Sequence, residues 1–298
     1  MSVKATIMIN RHRNAIGLAL VLLTIAIFAY YISGHTYLLT KLGDTSLLTI
    51  VIVFLLYLGW FASLVMIVAA TLNLCRIRLS LSENSLLNAY STLVNFFVPG
   101  QSGPLMRGAY LKKRHNLSIK KYVFASLLYF AFYAFVSAAM LLVFSRPWWQ
   151  TFLGITASLV LGIAVLKIYR QRKKVEEMSI DWSLSKLSLL MLATCLQAVF
   201  QVAIYAVELH SVNSQIHLTQ AITYTGAANF ALFVALTPGG IGIRESFLLF
   251  SRHLHHVSSA NIVAASVIDR SVFLLFLALL FILTLAFHAR DRFRVKAT

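Results

Sequence analysis

A chain of 298 residues that is 59% hydrophobic and 12% charged, with a mean hydropathy of +0.81, has too little polar surface to coat a soluble globule of its size. This composition excludes a soluble enzyme or binding module and defines an integral membrane protein. The net charge of +17 does not argue for nucleic acid, because the cations sit in short loops between apolar runs, where lipid headgroups and membrane topology account for them.

Along the chain, Lys4, Arg11 and Arg13 precede a first apolar run at 15–32, and no small-residue cleavage site follows it, so it reads as a retained span. Further full spans fall at 46–72, 121–144, 148–168, 187–209 and 259–287, each long enough to cross about 30 Å of hydrocarbon at about 1.5 Å per residue. Two other apolar segments, 85–111 and 219–250, are broken in the middle. The first carries Pro99-Gly100-Gln101-Ser102-Gly103-Pro104-Leu105-Met106-Arg107 and the second Pro238-Gly239-Gly240-Ile241-Gly242-Ile243-Arg244-Glu245. Proline removes a backbone donor and glycine loosens the helix, so such a stretch is tolerated at membrane depth only where the backbone lines a cavity or is buried in protein. The expected fold is therefore all-α and polytopic, one membrane domain with six full spans and two broken, re-entrant helical hairpins. Two short tilted spans in place of each hairpin satisfy the same parity.

Lysine and arginine in short loops favour the cytoplasmic side. With the N-terminus inside and each broken segment returning to its own side, 20 of the 26 cations fall inside. Only Lys41, Arg146 and Arg252 fall outside, and Arg107, Arg244 and Arg270 lie in apolar regions. Letting one broken segment cross once strands the cations from Arg290 to Lys296 outside. Both termini are thus expected in the cytoplasm, at the inner (plasma) membrane. On this parity the order span, broken segment, span over 46–144 recurs over 187–287 with every direction reversed, the inverted-topology repeat in which broken helices meet near the midplane and build a substrate site.

Charges at bilayer depth need a partner or mark a pathway. Asp269 and Arg270 fall near the middle of the last span, and Arg244 and Glu245 follow the second break. One reading pairs Asp269 with Arg244 and Glu245 with Arg270 as structural locks. The other leaves the arginines to hold a lipid phosphate, which a guanidinium fork suits. Gly100, Gly103, Gly239, Gly240 and Gly242 admit a similar pair of readings: unobstructed backbone N–H groups that receive an anion, or turns that allow close packing. The candidate substrate-binding set is Arg107, Arg244, Glu245, Asp269, Arg270 and these five glycines. No catalytic residue, metal or cofactor is expected, and no nucleotide-binding loop of the G-x-x-x-x-G-K-[ST] kind is present.

Other polar or reactive positions read as structural. Cys75 and Cys195 are small buried hydrophobes; His253, His255 and His256 belong to an interfacial loop; and Glu208 lies close enough to its span's outer end to reach the interface. Tyr129, Phe130, Phe132, Tyr133 and Phe135 spread around one span as packing and lipid contact, and Trp148 and Trp149 suit an interfacial belt.

The motifs Pro99-Gly100-Gln101-Ser102-Gly103 with Arg107 and Pro238-Gly239-Gly240-Ile241-Gly242 with Glu245, together with the span around Arg270, resemble the transmembrane region of lysyl-phosphatidylglycerol synthases, over nearly the whole chain. That resemblance implies a lipid flippase. In the family a separate soluble domain makes the aminoacyl lipid; none is present in this sequence, so lysyl transfer is not implied. Two positions depart from the family pattern: Pro104 stands where relatives often carry an acid, and Leu127-Leu128-Tyr129-Phe130 lacks a charged group often found in the matching span. The first half-site is therefore expected to differ in substrate or activity.

The leading functional expectation is movement of a phosphate-bearing lipid or lipid-linked saccharide between leaflets, with anionic membrane lipids as partners, no nucleic acid, and a biosynthetic enzyme as a further candidate partner. The alternatives are a glycosyl or phosphoryl transferase acting on a lipid, for which Asp44 is the one exposed carboxylate in the first outer loop, and a non-catalytic membrane subunit of a biosynthetic complex. The topology has a direct test: in intact cells a membrane-impermeant thiol reagent labels Asn213→Cys or Ser258→Cys and leaves Ser179→Cys unlabelled. Labelling at position 179 contradicts the inverted arrangement.

Overall fold

The structure, a computed structural model, describes residues 43, 45–98, 102–143, 180–234, 240 and 242–295, among which the regular structure is helical and no strand occurs. The helices lie in the unit Thr45–Thr298. In chain order they are α1 (Leu47–Leu74), α2 (Leu81–Phe97), α3 (Ser102–His115), α4 (Ile119–Val143), α5 (Leu184–Val212), α6 (Leu218–Val234), α7 (Ile243–Phe250), α8 (Arg252–His255) and α9 (Ser259–Val295).

Local chemistry sets several of these boundaries. Ser46 and Ser80 cap α1 and α2, their hydroxyls accepting from the N–H groups of Thr49 and Glu83 at 3.2 Å, which satisfies donors that a helix start leaves open. α2 stops at Phe97 because Val98 is extended, with φ −109° and ψ 129°, the conformation that a following proline favours. Gly242, at φ +80°, precedes α7 in a left-handed conformation that residues with a Cβ rarely adopt.

Among the described residues four helices are long and apolar enough to cross a membrane: Leu47–Leu74, Ile119–Leu142, Leu184–Val212 and Ser259–Phe287. They coincide, within a few residues at each end, with the runs expected at 46–72, 121–144, 187–209 and 259–287. The runs expected at 15–32 and 148–168 lie outside the described residues, as does Asp44. Each broken segment contains two shorter helices, α2 and α3 in the first and α6 and α7 in the second. Residues 99–101, 235–239 and 241 of the breaks also lie outside the described set, and with them Gly100 and Gly239.

α1 packs along α5 at the centre, α4 packs on α6, and α9 packs on α2; α1 and α5 each also touch α4 and α9. The helices of each broken segment fold against one another, and the second of them, α3 or α7, rests on the long helix that follows, α4 or α9. One buried cluster, which includes Val68, Leu72, Leu87, Leu111 and Tyr122, joins α1 to α4. Another, including Ile67, Leu74, Leu128, Leu190 and Ala193, joins α1 and α4 to α5. Cys75 is buried, as expected, whereas Cys195 is half-buried.

Polar ties close the ends of these elements. The Asp181 N–H donates to the Leu74 carbonyl at 2.9 Å, and its carboxylate pairs with Lys186 at 2.8 Å, fastening the start of α5 to the end of α1. Glu83 accepts from the Tyr110 hydroxyl at 2.6 Å and meets His115 Nε2 at 2.8 Å, latching the start of α2 to the end of α3. The hydrogen bond from Tyr110, joined by that of His115, holds the Glu83 carboxyl below the usual carboxylate range.

Within the first hairpin Gly103 permits the closest approach: a Cβ there would lie 2.5 Å from the Ser91 carbonyl oxygen of α2, too near without backbone movement. Gly103→Ala is therefore expected to destabilise the protein by about 1–3 kcal/mol, measured as a lower melting temperature. Wild-type melting would contradict this packing role.

Candidate functional site

Tyr57 and Trp60 of α1, Tyr129 and Tyr133 of α4, Gln197, Gln201 and Tyr205 of α5, and Asp269, Arg270 and Phe273 of α9 all fall in the middle portions of their helices. They meet around a cavity of about 240 Å³. The first broken segment contributes Ser91, Thr92 and Asn95 from α2 and Pro104 and Arg107 from α3; the second contributes Gly240 and Arg244. Residues from the two motifs thus share one cavity, although the motifs are far apart in the chain.

Arg244 and Asp269 form the most enclosed ion pair, at 6% and 2% exposure. The Asp269 carboxylate also accepts the Tyr57 hydroxyl, while Arg244 donates to the Tyr205 hydroxyl at 3.1 Å and its guanidinium lies 5.8 Å from the centre of the Tyr205 ring. Four helices, α1, α5, α7 and α9, are held by this one cluster. Next to it, Arg270 pairs with Glu245 at 3.0 Å, and the other Glu245 oxygen accepts the Gly242 N–H at 2.8 Å. The first reading of these charges, as two ion pairs that lock the last span to the broken segment, therefore describes their geometry. Neither arginine is left without a carboxylate.

Arg107 differs. It donates to Asn88 Oδ1 at 3.2 Å, its Nε is buried with no hydrogen-bond partner, and no ion pair involves it among the described residues. Pro104 also lines the cavity. Arg244 and Arg270 are each paired with a carboxylate, and among the described residues Arg107 is the one of the three arginines without such a partner.

Of the glycines, Gly240 lines the cavity. Gly103 donates its N–H to Asn95 Oδ1 at 3.3 Å, and Gly242 donates to Glu245, so both amides are engaged by side chains. The aromatic group of α4, expected only to pack and face lipid, contributes Tyr129, Phe130 and Tyr133 to the cavity wall. Tyr129 donates to Gln197 at 3.0 Å, and the Tyr133 hydroxyl and Gln201 amide are hydrogen-bonded at 3.1 Å.

Two further expectations need correction. Glu208 does not reach the interface; it is fully buried by protein, at 0% exposure, because its side chain lies on the inward face of α5 rather than the lipid face. His255 likewise is buried, unlike exposed His253 and His256. Its Nε2 bonds the Leu248 carbonyl at 3.1 Å and its Nδ1 accepts the Val257 N–H at 3.2 Å; burial pushes its pKa down to about 4, so it is a neutral structural group. The signal for Glu208 was present in the sequence. Gln197, Gln201, Tyr205 and Glu208 recur at helical spacing along an otherwise apolar span, which places them on one face.

A bundle of apolar helices around buried, paired charges defines a multi-pass membrane protein. The model of the lysylphosphatidylglycerol synthase transmembrane region matches residues 14–280, and the chain belongs to that family. No curated protein matches it.

The ion-pair geometry sets an expected outcome. Arg244→Ala leaves Asp269 buried with only a neutral hydroxyl beside it, an uncompensated buried charge that costs about 3–5 kcal/mol. It should lower the melting temperature markedly, and adding Asp269→Ala should recover much of the loss. Unchanged melting of Arg244→Ala would show that the pair is not a lock.

Proposed function

We propose that this protein moves a phosphate-bearing lipid, or a lipid-linked saccharide, between membrane leaflets, and that the cavity holds its anionic headgroup. The observation that carries this reading is Arg107, a cation without a carboxylate partner among the described residues, in a cavity formed midway along four apolar helices. A buried arginine of that kind suits a phosphate oxygen, which its planar donors can meet in bidentate fashion. Tyr129, Tyr133, Gln197 and Gln201 add neutral donors and acceptors. Arg244, Asp269 and Arg270 add charge to the lining, and Gly240 brings backbone to it.

A volume of about 240 Å³ is below the roughly 300–1,000 Å³ of pockets that enclose a drug-sized molecule. It suits a headgroup, with the acyl chains left in lipid. Family membership supports a lipid substrate, since the family is described by a lipid synthase's membrane region.

The reading also takes the two halves as an inverted repeat within one membrane domain. Support comes from the packing: exchanging α1 with α5, α2 with α6, α3 with α7 and α4 with α9 converts the helix contacts of one half into those of the other, α8 being the one additional element. A flippase of this kind gains two symmetry-related ways of exposing a central site. Its place is the plasma membrane with both termini cytoplasmic, and an enzyme that makes the lipid is a natural partner.

Leaflet exchange of fluorescent phosphatidylglycerol in proteoliposomes tests the proposal. One charged hydrogen bond is worth about 1.5–3 kcal/mol, so Arg107→Ala should slow exchange by about ten- to a hundredfold. Its melting temperature should stay near wild type, because Asn88 is neutral, and Arg107→Lys should restore part of the rate by keeping the charge without the fork. Wild-type exchange by a folded Arg107→Ala protein would overturn the headgroup assignment.

A further inference from the structure

Glu208 is fully buried, and neither of its carboxylate oxygens has a hydrogen-bond partner among the described residues. It takes part in none of the ion pairs that engage Arg244 and Arg270. An ionised carboxylate in that position would be an uncompensated buried charge, whereas a neutral carboxylic acid is accommodated at far smaller cost. Its place in the fold ties it to the cavity. Gln197, Gln201 and Tyr205 of the same α5 face line the wall, and Glu208 follows Tyr205 by about 4.5 Å along the helix axis.

The titratable and charged groups around it come from every neighbouring element. Tyr57 of α1, Tyr205 of its own helix, Arg244 of α7, and Asp269 and Arg270 of α9 act on it through space. Behind Tyr205 lie Tyr133 of α4 and Tyr224 of α6, whose ring centre is 5.4 Å from that of Tyr205. His210 lies on the following turn and is exposed. No group in this set bonds the carboxylate, so the proton itself is the available compensation.

We propose that Glu208 is a proton-binding site linked to anion binding in the cavity, so that one proton and one singly charged headgroup are held together. This rests on the headgroup reading above. With Glu208 neutral, Arg107, Arg244 and Arg270 face Asp269 and Glu245 with one positive charge in excess, which a phosphodiester anion cancels. With Glu208 ionised the cluster is already balanced, and the same anion arrives as an uncompensated charge. By linkage, protonation raises anion affinity and anion binding raises proton affinity to the same degree. The proton comes from hydronium or a buffer acid in the surrounding water, so one O–H bond forms at Glu208 as one breaks in the donor.

The test uses the full chain in detergent with phosphatidylglycerol, whose phosphodiester does not titrate near neutral pH. In weak buffer with a pH indicator, at a pH alkaline enough to ionise Glu208 in the lipid-free protein, wild type should take up about one proton per lipid bound, and over that range its affinity should fall by up to about tenfold per pH unit as pH rises. Glu208→Gln, which mimics the neutral acid, should bind with no proton uptake and no pH dependence. Binding by wild type without proton uptake, or uptake that persists in Glu208→Gln, would overturn the linkage. Absence of lipid binding by wild type at every pH would instead sink the headgroup reading. The proton site has its own readout. At neutral pH without lipid, the infrared spectrum of wild type should contain the C=O stretch of a protonated carboxyl that Glu208→Gln lacks, and absence of that band would overturn the assignment whatever the lipid does.

Discussion

The buried pair of Arg244 and Asp269 is the constraint around which this protein is organised. Neither charge is tolerable alone in an apolar bundle, since leaving an ion unpaired there costs several kcal/mol. Together, with the hydroxyls of Tyr57 and Tyr205 as further partners, they are compatible with the interior only in one arrangement of four helices. α7 is a helix of eight residues that packs on α6 and α9, and Arg244 and Glu245 add ion pairs to α9.

The pair also shapes the electrostatics of the cavity it borders. The second broken segment presents Arg244, matched by Asp269, and Glu245, matched by Arg270 of α9, so its charges are paired. The first presents Arg107 with Asn88 as its neutral partner. The two halves are therefore alike in helix packing and unlike in charge. That asymmetry leaves Arg107, among the described residues, as the arginine of the cavity lining that is not engaged in an ion pair.

Aromatic packing gives the site its rigid frame. The Tyr57 ring stacks on Phe276 with centres 5.6 Å apart, and Phe273 meets Trp60 and Phe96 at 6.2 and 5.8 Å. Large rings that bury area with few rotatable bonds hold the polar groups in register. The Glu83 latch and the Asp181 tie do the same for the helix ends. The breaks at the two Pro-Gly motifs are then local interruptions in an otherwise well-braced bundle.

Hydropathy determined the long helices, because a stretch long enough to span hydrocarbon must satisfy its backbone internally and has one structural solution. Proline and glycine determined the break in each of two other segments, since they act on the backbone directly. The residue types at Arg107, Arg244 and Asp269 marked them as exceptional wherever they lay. Tertiary structure alone decided which charge met which and that Tyr129 and Tyr133 turn toward a cavity rather than lipid, whereas the polar face of α5 already marked Glu208 as a residue that faces protein. Membrane-facing and protein-facing sides of a helix are both apolar, so periodicity in sequence distinguishes them poorly. Pairing and enclosure depend on neighbours that are distant in the chain, and those exist only once the helices have packed.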